Sequence, residues 1–443
     1  MISTFKYIFL IFNILNAQGY TLEDCIQISI DEKKTVLSAD IGVVSALKGL
    51  KASYSGVLPS VQATGASRVN YFPWQESFNI NFEEFTLDTT RTNHFNTFSA
   101  GIAINQVIYD GGRSWNQIKQ AKTNLDIAKY NQRAIKTQVI EKVVRSYYGL
   151  LQAQKLLYVS EKNLEMSVQQ VSLVKKQFDL GVVKRTDLLK AEVAQGQARV
   201  DMLNKKTNLQ NARRILFNDM GLQDFGQEII AVEKEWQAPR IPSSTELLRI
   251  LKNENPSLLI SKSRINLGDL SYRLTRGLRL PSFNSNINYS ANGQTSNELV
   301  DAFTNDWNLG INLSVSIPIY VGNSLSLQQQ QARLSQQQAE YSYTVFLNDL
   351  RVQVELIRET LSNYAEIIPL NQSVVASAEE DLKLVRERYS LGSATILEVL
   401  DAQVSLIRSN SNLINTIHDA RVQEASLKAV LGTLDLEYQP EER

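Results

Sequence analysis

The amino-acid sequence predicts a mixed α and β membrane protein in which one unit, two β-strands followed by a long α-helical hairpin, occurs twice. Tyr109 to Gly221 aligns with Tyr320 to Gly432 at a constant offset and without a gap. Each copy is a long polar–apolar run, a glycine and a shorter run. Before each copy lie two stretches in which apolar residues alternate with small polar ones, the period of a strand. A repeat of this length is one supersecondary unit used twice.

The composition excludes several classes of partner and site. Lysine plus arginine number 46, equal to aspartate plus glutamate at 46, and neither sign forms long blocks, so no nucleic-acid partner is predicted. The single cysteine, Cys25, rules out a disulfide framework. Two histidines and four methionines leave little for a soft-metal site, and no cofactor is predicted. No segment has about 18 consecutive apolar residues, so no spanning helix is expected.

The N-terminus has the features of an export signal, predicted over residues 1–17. Lys6 precedes an apolar run, and Ala17 supplies a small residue at the cleavage edge, so cleavage is expected after Ala17 or Gly19. A buried N-terminal helix is the alternative. Cys25 lies in Glu-Asp-Cys, which lacks the small apolar context of a lipid-attachment site, so acylation is not expected. The mature chain is therefore predicted to be exported.

The first repeat is predicted to span residues 18–221. It begins with a helix from Thr21 to about Ser53, for which Thr21 and Asp24 form a capping-box-like start. An aromatic-rich stretch between its two strands is too irregular for an element and is predicted to be a loop. The two strands are predicted at about 60–71 and 94–109, with the loop at 72–93 between them. The turn of the hairpin is predicted at 179–185.

The second repeat is predicted to span residues 245–432 and to follow the same order. A connector with two prolines precedes it, and a polar, frayed tail follows it. The connector is predicted at 222–244 and the tail at 433–443. The two strands are predicted at about 282–292 and about 306–320, and the turn at 390–394.

The helical hairpins are predicted to be unusually long. Between Arg113 and Phe178 there is no proline, and apolar residues step by threes, fours and sevens, as along a coiled-coil seam. At about 1.5 Å per residue such a helix is roughly 100 Å long, more than one globular domain can surround. Gly181 then allows a positive φ at the turn.

The four strands favour a membrane barrel with a polar lumen, because each has one apolar face and one face of Asn, Ser, Thr and Gly. A soluble sandwich strand also alternates, but these strands belong to an exported chain and are flanked by Tyr71, Trp307 and Tyr320, which suit a membrane interface. Sheet edges cannot stay open in lipid, and single-chain barrels begin at about eight strands. The chain is therefore predicted to contact outer-membrane lipid as an oligomer of two, three or four copies.

The sequence resembles the TolC-like outer-membrane efflux proteins over essentially the whole mature chain. The motifs that carry the resemblance are Leu58-Pro59 and Leu280-Pro281 before the strands, residues 108–112 and 319–323 at the start of the long helices, and the turns at 178–181 and 389–392. The resemblance implies a homotrimer with a twelve-stranded β-barrel and a twelve-helix periplasmic tunnel (an α-barrel), in the outer membrane of a Gram-negative bacterium. It also implies a periplasmic adaptor (membrane fusion) protein and, through it, an inner-membrane pump of a tripartite efflux or type I secretion system.

Three acids are predicted to surround the periplasmic aperture. Asp187 and Glu398 each lie six residues after a turn glycine, and Asp401 shares a helical face with Glu398. In a trimer, rings of these carboxylates would favour cations, and their mutual repulsion would raise their pKa values. The alternative is that each acid merely stabilises a helix N-terminus. Family members with a polar gate carry an arginine where this chain has Ala394, and Lys184 and Arg185 are the candidate positive partners.

The residues of the two turns are predicted to receive a helical hairpin of the adaptor in a helix-in-groove mode. Apolar packing across the turn within the chain is the alternative. The predicted contact residues are Leu180, Gly181, Val182, Val183, Leu391, Gly392 and Ser393, with Ile396 as a further exposed apolar residue.

The function predicted from these features is a passive outer-membrane exit duct. The sequence has no nucleotide-binding loop, no catalytic constellation and no intramembrane charge relay, so energy must come from a partner, and the chain is predicted not to be an enzyme. A surface-anchored structural coiled-coil protein is the alternative, against which the matched repeat of both strand pairs and both turns argues.

Overall fold

A computed structural model describes residues 20–81, 86–223, 231 and 240–438, with side chains except at 75–92. The predicted signal peptide and most of the predicted connector lie outside the described residues. The chain divides into two compact units, each of which draws on both sequence repeats. One comprises Val44–Asp126 and Lys262–Tyr341, and the other comprises the segments up to Val43, Ile127–Ser261 and Ser342–Arg443.

The predicted long helical hairpins are confirmed. Two helices of 67 residues are each followed, after a short turn, by one of 36 residues. The described helices are α1 Leu22–Glu32, α2 Lys34–Ser53, α3 Arg113–Asp179, α4 Arg185–Met220, α5 Ser244–Glu254, α6 Pro256–Gly277, α7 Ser296–Ala302, α8 Ser324–Ser390, α9 Ile396–Leu431 and α10 Leu434–Glu437.

The predicted single first helix is interrupted at Lys33, which takes an extended conformation with ψ 118°. Its backbone lies against Gly221, where an added Cβ would be 3.1 Å from the Lys33 Cα. The extended residue therefore sits where α1 passes the end of α4, a long-range contact that helical periodicity does not encode.

The four predicted strands are present and form one antiparallel sheet in the order β1-β2-β3-β4, but their lengths differ from the prediction. The bounds are β1 Ser60–Asn81, β2 Thr86–Tyr109, β3 Ser282–Gly293 and β4 Asn308–Ser316. The predicted loop at 72–93 is therefore wrong in its described part, where both strands continue. A register shift between Tyr71 and Gln75, next to Pro73, breaks the alternation that would have revealed them.

The fourth strand is shorter than predicted, and the segment before it is partly helical. Pro318 follows Ser316 closely and has no N–H to donate, which explains why pairing ends there. Between β3 and β4, Thr295 accepts a hydrogen bond from the Glu298 N–H and caps α7, a helix that strand periodicity did not predict.

The register separates the two faces of the sheet. One rung across all four strands consists of Val61, Ile104, Ile287 and Ile311, and the next rung contains Asn105, Asn286 and Asn312. The Asn286 Nδ2 donates to the Asn105 Oδ1 at 2.7 Å. Val61 and Ile311 are 65% and 69% exposed in the single chain, so the apolar face is available to lipid.

Three apolar clusters lie in the unit that contains Ile127–Ser261 and Ser342–Arg443. The first surrounds Tyr147 and Phe217 and includes the buried Cys25, whose thiol pKa is raised to about 12, first by burial. The second surrounds Leu247 and Val354, and the third lies near the helical turns. These clusters, rather than intrinsic propensity, hold the long helices together.

The predicted frayed tail is wrong in its described part, because residues 434–437 form α10. Asp435 is 4% exposed and accepts a hydrogen bond from the Arg133 Nε at 2.9 Å and from the Thr137 hydroxyl at 3.2 Å. Leu434 is buried in the first cluster. A long-range ion pair and one apolar anchor thus order a segment that looks merely polar in sequence.

Candidate functional site

The candidate site lies at the two turns that join α3 to α4 and α8 to α9. Both turns have the same backbone form: Gly181 and Gly392 take φ values of +72° and +74°. The Val182 N–H donates to the Gln177 carbonyl and the Ser393 N–H to the Arg388 carbonyl, each at 2.9 Å, as in a Schellman motif. The duplication therefore extends to the hydrogen bonds of the turn.

A capping box holds Glu398 at the start of α9. The Glu398 Oε1 accepts hydrogen bonds from the Thr395 N–H at 3.1 Å and the Thr395 hydroxyl at 3.0 Å, while the Thr395 Oγ1 accepts from the Glu398 N–H at 3.3 Å. This satisfies donors that a helix N-terminus otherwise leaves unpaired.

Arg388 is the positive partner of Glu398 within the chain, and the prediction that Lys184 and Arg185 serve a closing clamp stays a prediction. Its Nη2 lies 3.7 Å from the Glu398 Oε2 and donates to the Ser393 carbonyl at 3.1 Å. The hydrogen bond from the Thr395 backbone, then the Thr395 hydroxyl and also the charge of Arg388 lower the pKa of Glu398. In the single chain this shift is opposite to the rise predicted for a ring of carboxylates.

A tyrosine links the two hairpins beside the first turn. The Tyr389 hydroxyl donates to the Gln177 Oε1 at 2.9 Å, and the Tyr389 side chain packs in the third cluster with Val174 and Val399. Burial first, and then the negative charge of Asp187, raises the pKa of Tyr389. Asp187 itself is half-buried, in the first turn of α4, so it faces tyrosine and not open solvent alone.

The predicted adaptor-contacting residues divide into two groups. Leu180, Val182 and Leu391 are 80%, 71% and 82% exposed. Gly181, Gly392 and Ser393 are also exposed. By contrast, Ile396 is buried and Val183 is half-buried against the third cluster. The prediction that Ile396 is exposed is therefore wrong, because this residue packs across the turn within the chain.

An apolar groove of about 680 Å³ runs between α4 and α9 close to the turns. It was not predicted, although Leu397 and Val404 repeat at the seven-residue spacing of a seam. At its floor the Gln403 Nε2 donates to the Asn163 Oδ1 at 2.7 Å. The apolar lining is Leu189, Val193, Leu397, Leu400, Val404 and Ile407, and the charged lining is Lys190, Asp201, Asp401 and Arg408.

The third predicted acid thus differs in setting from the second. Asp401 is exposed and lies in this groove with Lys190, whereas Glu398 is held at the turn by its capping box. The two carboxylates share one helix but lie in different surroundings.

Two of the predicted interface aromatics, Trp307 and Tyr320, lie on either side of β4, and Tyr71 lies within β1. The ring of Tyr71 is 5.7 Å from that of His94, and the ring of Trp307 is 5.8 Å from that of Tyr289. Tyr320 follows β4 at the opposite end and is 83% exposed. That these three residues form the aromatic girdles of a membrane barrel stays a prediction.

The described residues contain no helix with the length and apolar character needed to span a bilayer. Within the same residues, no group of three or more His, Cys, Asp or Glu side chains is arranged to hold a metal ion.

Comparison with known proteins identifies related sequences and folds. The model of a family described as "Outer membrane efflux protein" matches residues 25–222 and 247–433. The outer membrane efflux protein BepC of Brucella suis is 24% identical over 80% of this chain and 78% of its own length. The outer membrane protein TolC of Vibrio cholerae is 24% identical over 88% of this chain and 85% of its own. The solved structure of the outer membrane protein VceC from Vibrio cholerae superposes with a TM-score of 0.79 and 15% identity, covering 93% of this chain and 96% of that one.

Proposed function

Because the chain belongs to the outer membrane efflux protein family and is an exit duct of the Gram-negative outer membrane, we propose that it works as a homotrimer fed by a periplasmic adaptor and an inner-membrane pump. The family match confirms the resemblance predicted from the sequence. The family is one of outer membrane efflux proteins. We propose that this chain, too, catalyses no reaction.

The observation that carries the proposal is the sheet, whose outer strands β1 and β4 each have, among the described residues, a neighbouring strand on one side only. Its apolar face is exposed, and strand edges in lipid must be paired. Pairing β1 of one copy with β4 of the next satisfies both edges, and three copies of four strands make the twelve-stranded barrel that the family resemblance implies.

The adaptor is proposed to dock at the turns and in the adjacent groove. The exposed Leu180, Val182 and Leu391 supply apolar contacts at the turns. The groove between α4 and α9 has an apolar centre with charges of both signs around it. Such a surface fits the apolar face of an amphipathic helix. The pump then reaches the duct only through the adaptor.

The aperture is proposed to be lined by Asp187, Glu398 and Asp401 from each copy. All three lie in the first two turns of α4 and α9, next to the chain reversals. Rings of carboxylates at a narrow opening favour cations over anions.

The test is single-channel conductance of the purified oligomer in a planar bilayer, with and without a candidate adaptor. We expect a small, cation-preferring conductance in the natural protein. The double variant Glu398→Ala/Asp401→Ala is expected to conduct more or to lose its preference. The control Glu379→Ala/Asp381→Ala removes two exposed acids from α8 away from the turn and is expected to behave as the natural protein.

Two results would count against the proposal in different ways. A pore indifferent to the Glu398/Asp401 variant would remove these acids from the aperture and leave the duct. An assembled oligomer that passes no current even with adaptor would contradict the proposed conducting aperture.

A further inference from the structure

The two turns, although duplicated, differ in their charged residues. The position of Arg388 in the second repeat corresponds to Gln177 in the first, and that of Thr395 corresponds to Lys184. Lys184 forms no side-chain cap for α4, whereas Thr395 caps α9 in a full capping box. The arginine and its bound glutamate are therefore features of the second turn alone.

Arg388, at the end of α8, contacts the acid at the start of α9. The guanidinium of Arg388 spans the turn from the last residues of α8, with one hydrogen bond to the Ser393 carbonyl at 3.1 Å. The same nitrogen approaches the Glu398 Oε2 at 3.7 Å while the Oε1 is occupied by Thr395. Both oxygens of Glu398 thus have partners within its own turn.

An exposed pair of this kind contributes little to stability, but it changes the electrostatic field at the opening. The side chains of Arg388 and Glu398 are 56% and 45% exposed. Two opposite charges 3.7 Å apart act as a dipole, whose attraction for an ion falls off faster with distance than that of a single charge. A ring of paired glutamates therefore attracts cations less than a ring of bare ones.

We propose that Arg388 determines the ion preference of the duct by neutralising Glu398 at the periplasmic aperture. The inference rests on the proposed aperture and deepens it. The remaining cation preference then comes from Asp187 and Asp401, neither of which is paired with Arg388.

The test compares Arg388→Gln with Lys383→Gln in the full-length oligomer. The first variant introduces the residue that the first repeat carries at the equivalent position. The second removes the same charge from the same helix, where Lys383 pairs with Glu380 at 3.7 Å and is likewise exposed. The reversal potential in a KCl gradient and the Mg²⁺ concentration for half-block are measured.

We expect Arg388→Gln to shift the reversal potential toward the equilibrium potential of K⁺. The half-blocking Mg²⁺ concentration should fall about threefold, in line with the coupling energy across an exposed ion pair. Lys383→Gln should change neither. Arg388→Lys, which keeps the charge, and the double variant Arg388→Gln/Glu398→Gln should both restore the natural values.

The outcomes separate this inference from the proposed function. If the protein conducts but Arg388→Gln and Lys383→Gln give the same reversal potential and the same half-blocking Mg²⁺ concentration, the role of Arg388 is overturned and the duct stands. If the oligomer is electrically silent, the free Mn²⁺ signal in electron paramagnetic resonance is titrated instead. Tighter Mn²⁺ binding by Arg388→Gln than by the other variants then supports the inference, and equal binding overturns it.

Discussion

Substitution of Gly432 by alanine is predicted to destabilise the protein far more than substitution of Gly392. Both glycines follow the end of a long helix and take the left-handed conformation, with φ of +77° and +74°. A Cβ on Gly392 would meet nothing within 4 Å. A Cβ on Gly432 would lie 2.4 Å from the Glu254 carbonyl oxygen and 2.7 Å from the Asn255 Cα. Comparing the two alanine variants therefore separates the cost of the left-handed conformation from the cost of the steric clash at position 432.

The expected magnitudes follow from these contacts. A residue with a Cβ in the left-handed conformation costs about 1–2 kcal/mol, which is the whole effect expected for Gly392→Ala. At Gly432 the backbone at Glu254 must also move, and Asn255 is buried there. Its Nδ2 donates to the Val430 carbonyl at 2.7 Å and its Oδ1 accepts from the Leu258 N–H at 2.7 Å. Losing such buried bonds adds about 1–3 kcal/mol, so Gly432→Ala should cost roughly 2–5 kcal/mol.

The assay is thermal unfolding followed by circular dichroism at 222 nm in one detergent, with midpoints compared under identical conditions because a large protein need not unfold in two states. Hydrogen exchange locates the effect: Gly432→Ala should accelerate exchange around 255–259 and 428–432, and Gly392→Ala only around its own turn. Equal midpoints for the two variants, or unchanged exchange near Asn255, would refute the close approach.

Two further predictions concern the turns. Tyr389→Phe removes the hydroxyl that donates to Gln177 and should weaken the link between the hairpins by about 1 kcal/mol. The readout is faster hydrogen exchange at 174–182, with Tyr341→Phe on an exposed tyrosine as control; equal exchange in both variants would contradict the link. Glu398 has a pKa below its ordinary value of 4.5, so its stabilising contribution is complete above that pH and is lost as pH falls through the lowered value. The midpoint difference between Glu398→Gln and the natural protein should therefore narrow below about pH 4.5, and a constant difference would argue against the capping role.

The sequence alone determined the features that depend on local period. Steps of three, four and seven residues specify the faces of α3 and α8, and alternation specifies the two faces of β3 and β4, because these periods are properties of neighbouring residues. The constant offset between the repeats added the duplicated turns, in which glycine alone takes the left-handed conformation cheaply.

Tertiary structure decided the features in which distant segments meet. Pairing with β2, and not alternation, carries β1 through its irregular stretch, and Arg133 orders α10 by reaching Asp435 across the chain. The partner of Glu398 depended on the path of the turn, which brings Arg388 to its carboxylate. Such pairings depend on distances in space, which residue spacing along the chain does not specify; periodicity therefore predicted the elements, and packing selected their ends and their charged partners.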